Sequence, residues 1–78
     1  MNRYYFHIVD GRFVRDEEGQ EFPGLEEAKA EAVASARSIM REAIWAGRLP
    51  LNECIQIADD KGTVLMTVPF RDAITIEE

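Results

Sequence analysis

The sequence is short of the residues that most often carry chemistry. Among 78 residues there is one cysteine, Cys54, and one histidine, His7. A lone cysteine excludes an internal disulfide and a Cys-based zinc site, and suits a reducing cytoplasm, the expected location. No apolar run approaches the ~18 residues of a membrane span. The chain enters a strand pattern at Arg3 without a basic and apolar leader before it, so no signal peptide is expected. Repeats and low-complexity tracts are missing too. Cations are few, nine Lys and Arg against 15 Asp and Glu, for a net charge of −6. Phosphate repels such a chain, which argues against nucleic acid as a partner. Arg37, Arg41 and Arg48 with Trp45 leave only a small basic and aromatic footprint.

What is present describes one domain spanning residues 1–78. Hydrophobic content of 46% with 31% charged residues is that of a folded globular chain. A domain of this size buries only about 60% of its unfolded surface, so stability is modest unless a partner adds buried area. The negative charge is concentrated. Asp16, Glu17, Glu18, Glu21, Glu26, Glu27 and Glu31 lie in one block with a single base, Lys29, and the remainder is neutral. Its plain reading is a solvated loop leading into a helix whose N-terminal dipole favours carboxylates.

The organising element is the Ala-rich stretch Leu25 to Ala46, free of Gly and Pro and stopped by Gly47. At 100° per residue, Leu25, Ala28, Ala32, Ala36, Ile39 and Ala43 form one narrow stripe, flanked by Val33, Met40 and Ile44. That stripe is the expected core face. Gly24 is a weak N-cap, Gly47 suits a left-handed C′ position, and Pro50 follows as helix ends often show.

Strand patterns surround it. Arg3 to Asp10 alternates Tyr4, Phe6 and Ile8 with Tyr5, His7 and Val9, so both faces are apolar or aromatic. Asp10-Gly11 signals a tight two-residue hairpin returning through Arg12 to Arg15. Gln20 to Phe22 can extend the pairing. After the helix, Cys54 to Asp59 and Thr63 to Pro69 read as a second hairpin. One helical turn is expected at Phe70 to Ala73 and a last short strand at Ile74 to Ile76. The expected fold is α+β: an antiparallel β-sheet in β-β-α-β-β order, one long helix packed on one face.

No catalytic, cofactor or metal residue is assigned. His7 lies mid-strand without a recognisable nucleophile or orienting partner, and a packed structural role is the simpler one. No cysteine-enzyme signature surrounds Cys54. Asp16-Glu17-Glu18-Gly19 and Asp59-Asp60-Lys61-Gly62 lack the alternating carboxylates of a calcium loop and read as turns. Phe22-Pro23-Gly24, ringed by Glu, would repel phosphate. No small-molecule substrate is identifiable.

Trp45 is the anomaly. It lies about 200° around the helix from Leu25, with Arg41 and Arg37 one and two turns earlier. Two readings are open. The indole folds onto Leu49 and Pro50 or under Arg41, or it anchors a protein interface, where Trp and Arg are enriched. The apolar second face of the strands, with Tyr5 and His7, also asks for a cover.

Arg3-Tyr4-Tyr5-Phe6-His7, Asp10-Gly11, Asp16-Glu17-Glu18-Gly19, Leu25-Glu26-Glu27-Ala28, Arg48-Leu49-Pro50 and Val68-Pro69-Phe70-Arg71-Asp72-Ala73 occur in this order. In that combination the chain resembles a family of short bacterial proteins of unknown function, over nearly its whole length. The resemblance implies a small stand-alone domain and carries no activity or site. Pro23-Gly24, Glu26-Glu27-Ala28 and Gly47 to Pro50 are also similar to pieces of the N-terminal domain of HicB-type antitoxins. That family has more residues, including a strand, between Pro-Gly and the helix, and usually a DNA-binding segment afterwards.

The expectation is a non-enzymatic, cytoplasmic interaction domain, homodimeric or bound to a protein partner, with Trp45, Arg41, Arg37, Tyr5 and His7 as partner-binding residues. The alternative is a HicB-like domain that masks a basic ribonuclease toxin with the Asp16–Glu31 block. A second alternative is a small enzyme using His7.

Overall fold

The computed structural model describes residues 1–78. In chain order it contains β1 (Asn2–Val9), β2 (Phe13–Val14), β3 (Gln20–Phe22), α1 (Leu25–Trp45), β4 (Cys54–Ala58) and β5 (Val64–Pro69), then a 3-10 turn (Phe70–Ala73). All pairings are antiparallel, and α1 packs on one face of the five-stranded sheet. No helix is long and apolar enough to cross a membrane.

β1 is the central strand. On one side it pairs with β4 from Tyr5↔Ala58 to Val9↔Cys54, and β5 continues outward. On the other side two short strands share its length, β2 at Ile8 and Val9 and β3 at Asn2 to Tyr4. The expected second strand is therefore a broken one, giving β-β-β-α-β-β. Two residues more lie between Val14 and Gln20 than between their partners Ile8 and Tyr4, and the excess bulges out between the halves.

The Asp10-Gly11 turn is wider than expected. Val9 faces Phe13 across a three-residue loop, and only Gly11 takes a positive φ, 92°. Asp10 is not left-handed, so the two-residue turn with both central residues at positive φ is not formed.

The helix face of the sheet carries Tyr4, Phe6, Ile8, Ile55, Ile57, Met66 and Val68, and α1 meets it with Ala28, Ala32, Ala36 and Met40. The three alanines are fully buried, so the helix backbone lies close to the strands. Phe70 from the 3-10 turn closes the core beside Ile55 and Ile57. Its N–H donates to the Glu53 carbonyl at 2.8 Å. The expected strand at Ile74 to Ile76 is not formed. Ile74 packs against the core edge instead, while Ile76 is exposed.

The C-terminus of α1 is a Schellman motif. Gly47 N–H donates to Ile44 O and Arg48 N–H to Ala43 O, both at 2.9 Å, around Gly47 at φ 84°. Ile44, expected at the flank of the core, is 59% exposed. Ile44 lies about 100° around from the axis of the stripe, and there it meets solvent, while Ala43 on the axis is buried.

Candidate functional site

The five candidate residues fall into two groups on opposite sides of the molecule. Arg37, Arg41 and Trp45 sit on α1. Tyr5 and His7 lie on the sheet face that α1 does not cover.

On the helix side, Trp45 is 87% exposed, and neither Pro50 nor the guanidinium of Arg41 covers it. Ile44 and Leu49, 47% exposed, extend the apolar surface. With Met40 and Ile74 these residues border a shallow hollow of about 270 Å³, rimmed by Arg37 and Arg41. Arg41 reaches only its neighbour Glu42, at 4.0 Å between exposed groups, which contributes little. Arg37 has intrachain work as well: its Nε donates to the Ala73 carbonyl at 2.7 Å and ties the 3-10 turn to the helix. Periodicity pointed to Trp45 but missed Ile44 and Leu49, because Ile44 sits on the stripe flank and Leu49 beyond the helix end.

On the open sheet face a groove of about 530 Å³ runs over Tyr5, His7 and Gln56. Phe13, Arg15 and Glu17 form one wall, and the β4–β5 turn with Asp59, Asp60 and Val64 forms the other. Alternation selects Tyr5, His7 and Gln56 for the floor, since their sequence neighbours Tyr4, Ile55 and Ile57 are in the core. An irregularity at Ile57/Ala58 moves Val64 opposite Ala58 and into the groove wall. The walls come from two loops far apart in sequence, which is why no local motif announced them.

Asp16 builds the wall that Phe13, Arg15 and Glu17 form. Its carboxylate bridges the bulge between β2 and β3, accepting from the backbone N–H of Phe6 at 3.0 Å, Glu18 at 3.1 Å and Gly19 at 3.2 Å. Partial burial pushes its pKa up, but the bonds from Phe6, Gly19 and Glu18, with His7 nearby, outweigh that and lower it below the ordinary 3.8. Asp16 N–H in turn donates to His7 Nδ1 at 3.0 Å. A nitrogen that accepts carries no proton, so the neutral ring holds its proton on Nε2. His7 is nine-tenths buried and stacks tilted against Phe13, ring centroids 5.1 Å apart. Gly19 completes the bulge at φ 67°, where a Cβ would lie 2.8 Å from Tyr4 O and 3.0 Å from the Tyr5 ring. Asp16-Glu17-Glu18-Gly19 is thus a turn, as its residue types implied, and one that mends a broken strand.

Cys54 lies opposite Val9, two pairs along from His7↔Gln56. No hydrogen bond joins Cys54 to His7, whose Nδ1 is already occupied. No group of three or more His, Cys, Asp or Glu side chains is placed to hold a metal ion.

The profile of a domain of unknown function, DUF6894, matches residues 3–71. The chain belongs to the DUF6894 family. The match spans the β1 aromatic run, the Asp16–Gly19 bulge, α1 and both strands after it. Among curated proteins and among solved structures, none matches this DUF6894 chain.

Proposed function

We infer that this DUF6894 domain is a non-enzymatic protein-interaction module that pairs with a second copy of itself through the end of α1. The observation that carries this reading is the 87% exposure of Trp45 beside Ile44 and Leu49. An indole standing free next to an apolar hollow offers both a knob and a recess on one patch. That is what an isologous two-fold contact uses, each copy's Trp45 entering the other's hollow. Arg41 borders the patch without a strong partner of its own and would meet the facing copy's Glu42 across it. A chain with few large core side chains also gains most from area buried by a partner.

Light scattering on the purified chain tests this. Twice 8.9 kDa is expected for wild type and 8.9 kDa for Trp45→Ala, with unchanged circular dichroism. A wild-type monomer at the highest soluble concentration would refute the dimer. A dimer that survives Trp45→Ala would refute this patch as its interface.

The acidic block carries a second reading, a HicB-like domain masking a basic toxin. In the structure Asp16 is bound to backbone, Glu21 to Arg3 at 3.2 Å, and Glu31 to Ser35, so Glu17, Glu18, Glu26 and Glu27 would do the masking. A small basic gene beside this one in its genome supports that reading; its consistent absence counts against it.

A further inference from the structure

The sheet-face groove is the most built feature that the pairing of helices leaves unused. Its floor holds an unpartnered donor. His7 Nδ1 is taken by Asp16 N–H, and Nε2 has no hydrogen-bond partner although the residue is nine-tenths buried. Nε2 is not sealed among protein atoms, for Asp10 Oδ1 is the one buried side-chain atom left without a partner. His7 lines the groove, which makes the groove the opening through which an unsealed Nε2–H would meet a ligand. The bond from a backbone amide fixes this tautomer, and the groove therefore presents a donor that needs an acceptor oxygen.

The walls specify the rest of the ligand. Glu17 and Asp60 stand on opposite rims, exposed and in no ion pair. Arg15 is the one cation in the lining. Tyr5 and Phe13 supply aromatic surface between floor and rim, Phe13 being 57% exposed. Acidic rims over aromatic faces favour a cation, since both the carboxylates and the ring quadrupoles attract it. They disfavour a carboxylate as the oxygen that meets His7. A carbonyl on a positively charged chain meets both demands.

We propose that this groove binds a basic peptide segment of a protein partner, a backbone carbonyl accepting from His7 Nε2–H while Lys or Arg side chains lie over Tyr5 and Phe13 toward Glu17 and Asp60. The site lies on the opposite face from the Trp45 patch, so it stands or falls independently of self-association.

Amide chemical shifts of the full chain, titrated with acetyl-Arg-Gly-Lys-amide and separately with acetyl-Glu-Gly-Glu-amide, test it. The basic peptide should shift Tyr5, His7 and Gly62 saturably, and the acidic one should not. The double variant Glu17→Gln, Asp60→Asn, at two exposed side chains without intrachain partners, should bind roughly five-fold more weakly and keep its fold. Long-range nitrogen correlations should show the His7 proton on Nε2. Shifts that fail to saturate, are equal for both peptides, centre on Glu26 to Glu31, or survive the double variant unchanged would overturn the proposal. So would a neutral His7 ring protonated at Nδ1.

Discussion

Asp16→Ala is the substitution that most directly probes how this sheet is held together. The carboxylate accepts three backbone N–H groups across the gap between β2 and β3. Glu18 N–H is exposed and water can replace its partner, but Phe6 and Gly19 N–H are partly buried. Leaving a buried donor unpaired costs about 1–3 kcal/mol, so with partial burial the loss comes to about 2–4 kcal/mol. A 78-residue chain is stable by roughly 4–12 kcal/mol, so the substitution removes a large share. With a urea slope of about 1 kcal/mol/M, the unfolding midpoint should fall by roughly 2 M or more. Far-UV circular dichroism is the appropriate probe because it reads α1, the longest element of the chain. Asp16→Asn, which keeps one acceptor oxygen without the charge, should fall between. The same residue sets an acid limb. Its folded pKa is depressed, so its contribution is complete above the unfolded value of 3.8 and is lost as pH falls through the lowered folded value. The gap between wild type and Asp16→Ala should therefore narrow in that window. A midpoint within about 0.5 M of wild type at neutral pH would refute the assignment of Asp16 as the bridge.

Other substitutions separate effects that look alike in sequence. Gly19→Ala and Gly47→Ala both force a left-handed alanine, which costs about 1–2 kcal/mol, but only Gly19 also meets Tyr4 O and the Tyr5 ring. Thermal melts should therefore rank Gly19→Ala well below Gly47→Ala. Arg37→Ala should cost about 1–2 kcal/mol by freeing the 3-10 turn, with hydrogen exchange accelerated at Phe70 to Ala73 and unchanged mid-helix. Ala32→Leu pushes a fully buried stripe residue against the strands and should destabilise by about 1–3 kcal/mol or more in a urea titration.

The helix, its Ala stripe and its glycine stop were legible because they are local, repeating with the 3.6-residue turn. The two flanking hairpins were legible for the same reason. Ile44 was misplaced because it lies at the flank of the stripe, where periodicity alone does not separate covered from open positions. The broken strand was only half visible: Gln20 to Phe22 carried a weak pairing signal, while the bridging role of Asp16 depends on Phe6 and His7, ten and nine residues away. Ile74 to Ile76 has strand alternation, yet it pairs with no strand, and Ile74 is held by the core. Trp45 was identifiable as unexplained by its angle alone. The groove was not, since its walls come from loops around Glu17 and Asp60 that only the folded sheet brings together.

The central position of β1 sets a schedule for synthesis. β1 leaves the ribosome before the other strands of this sheet yet must be flanked on both sides, and its longest partner, β4, is encoded after the whole of α1. Until Ala58 has emerged, Phe6 and Ile8 have neither that partner nor a completed floor beneath the helix. At about 5–20 residues per second, the roughly fifty intervening residues leave the aromatic N-terminus unsheltered for several seconds. The early contacts open to it are the short β2 and β3 pairings, which the Asp16 bulge can close before the helix is made. If those pairings shelter the strand, variants that weaken the bulge should lower soluble yield more than their equilibrium stability alone implies.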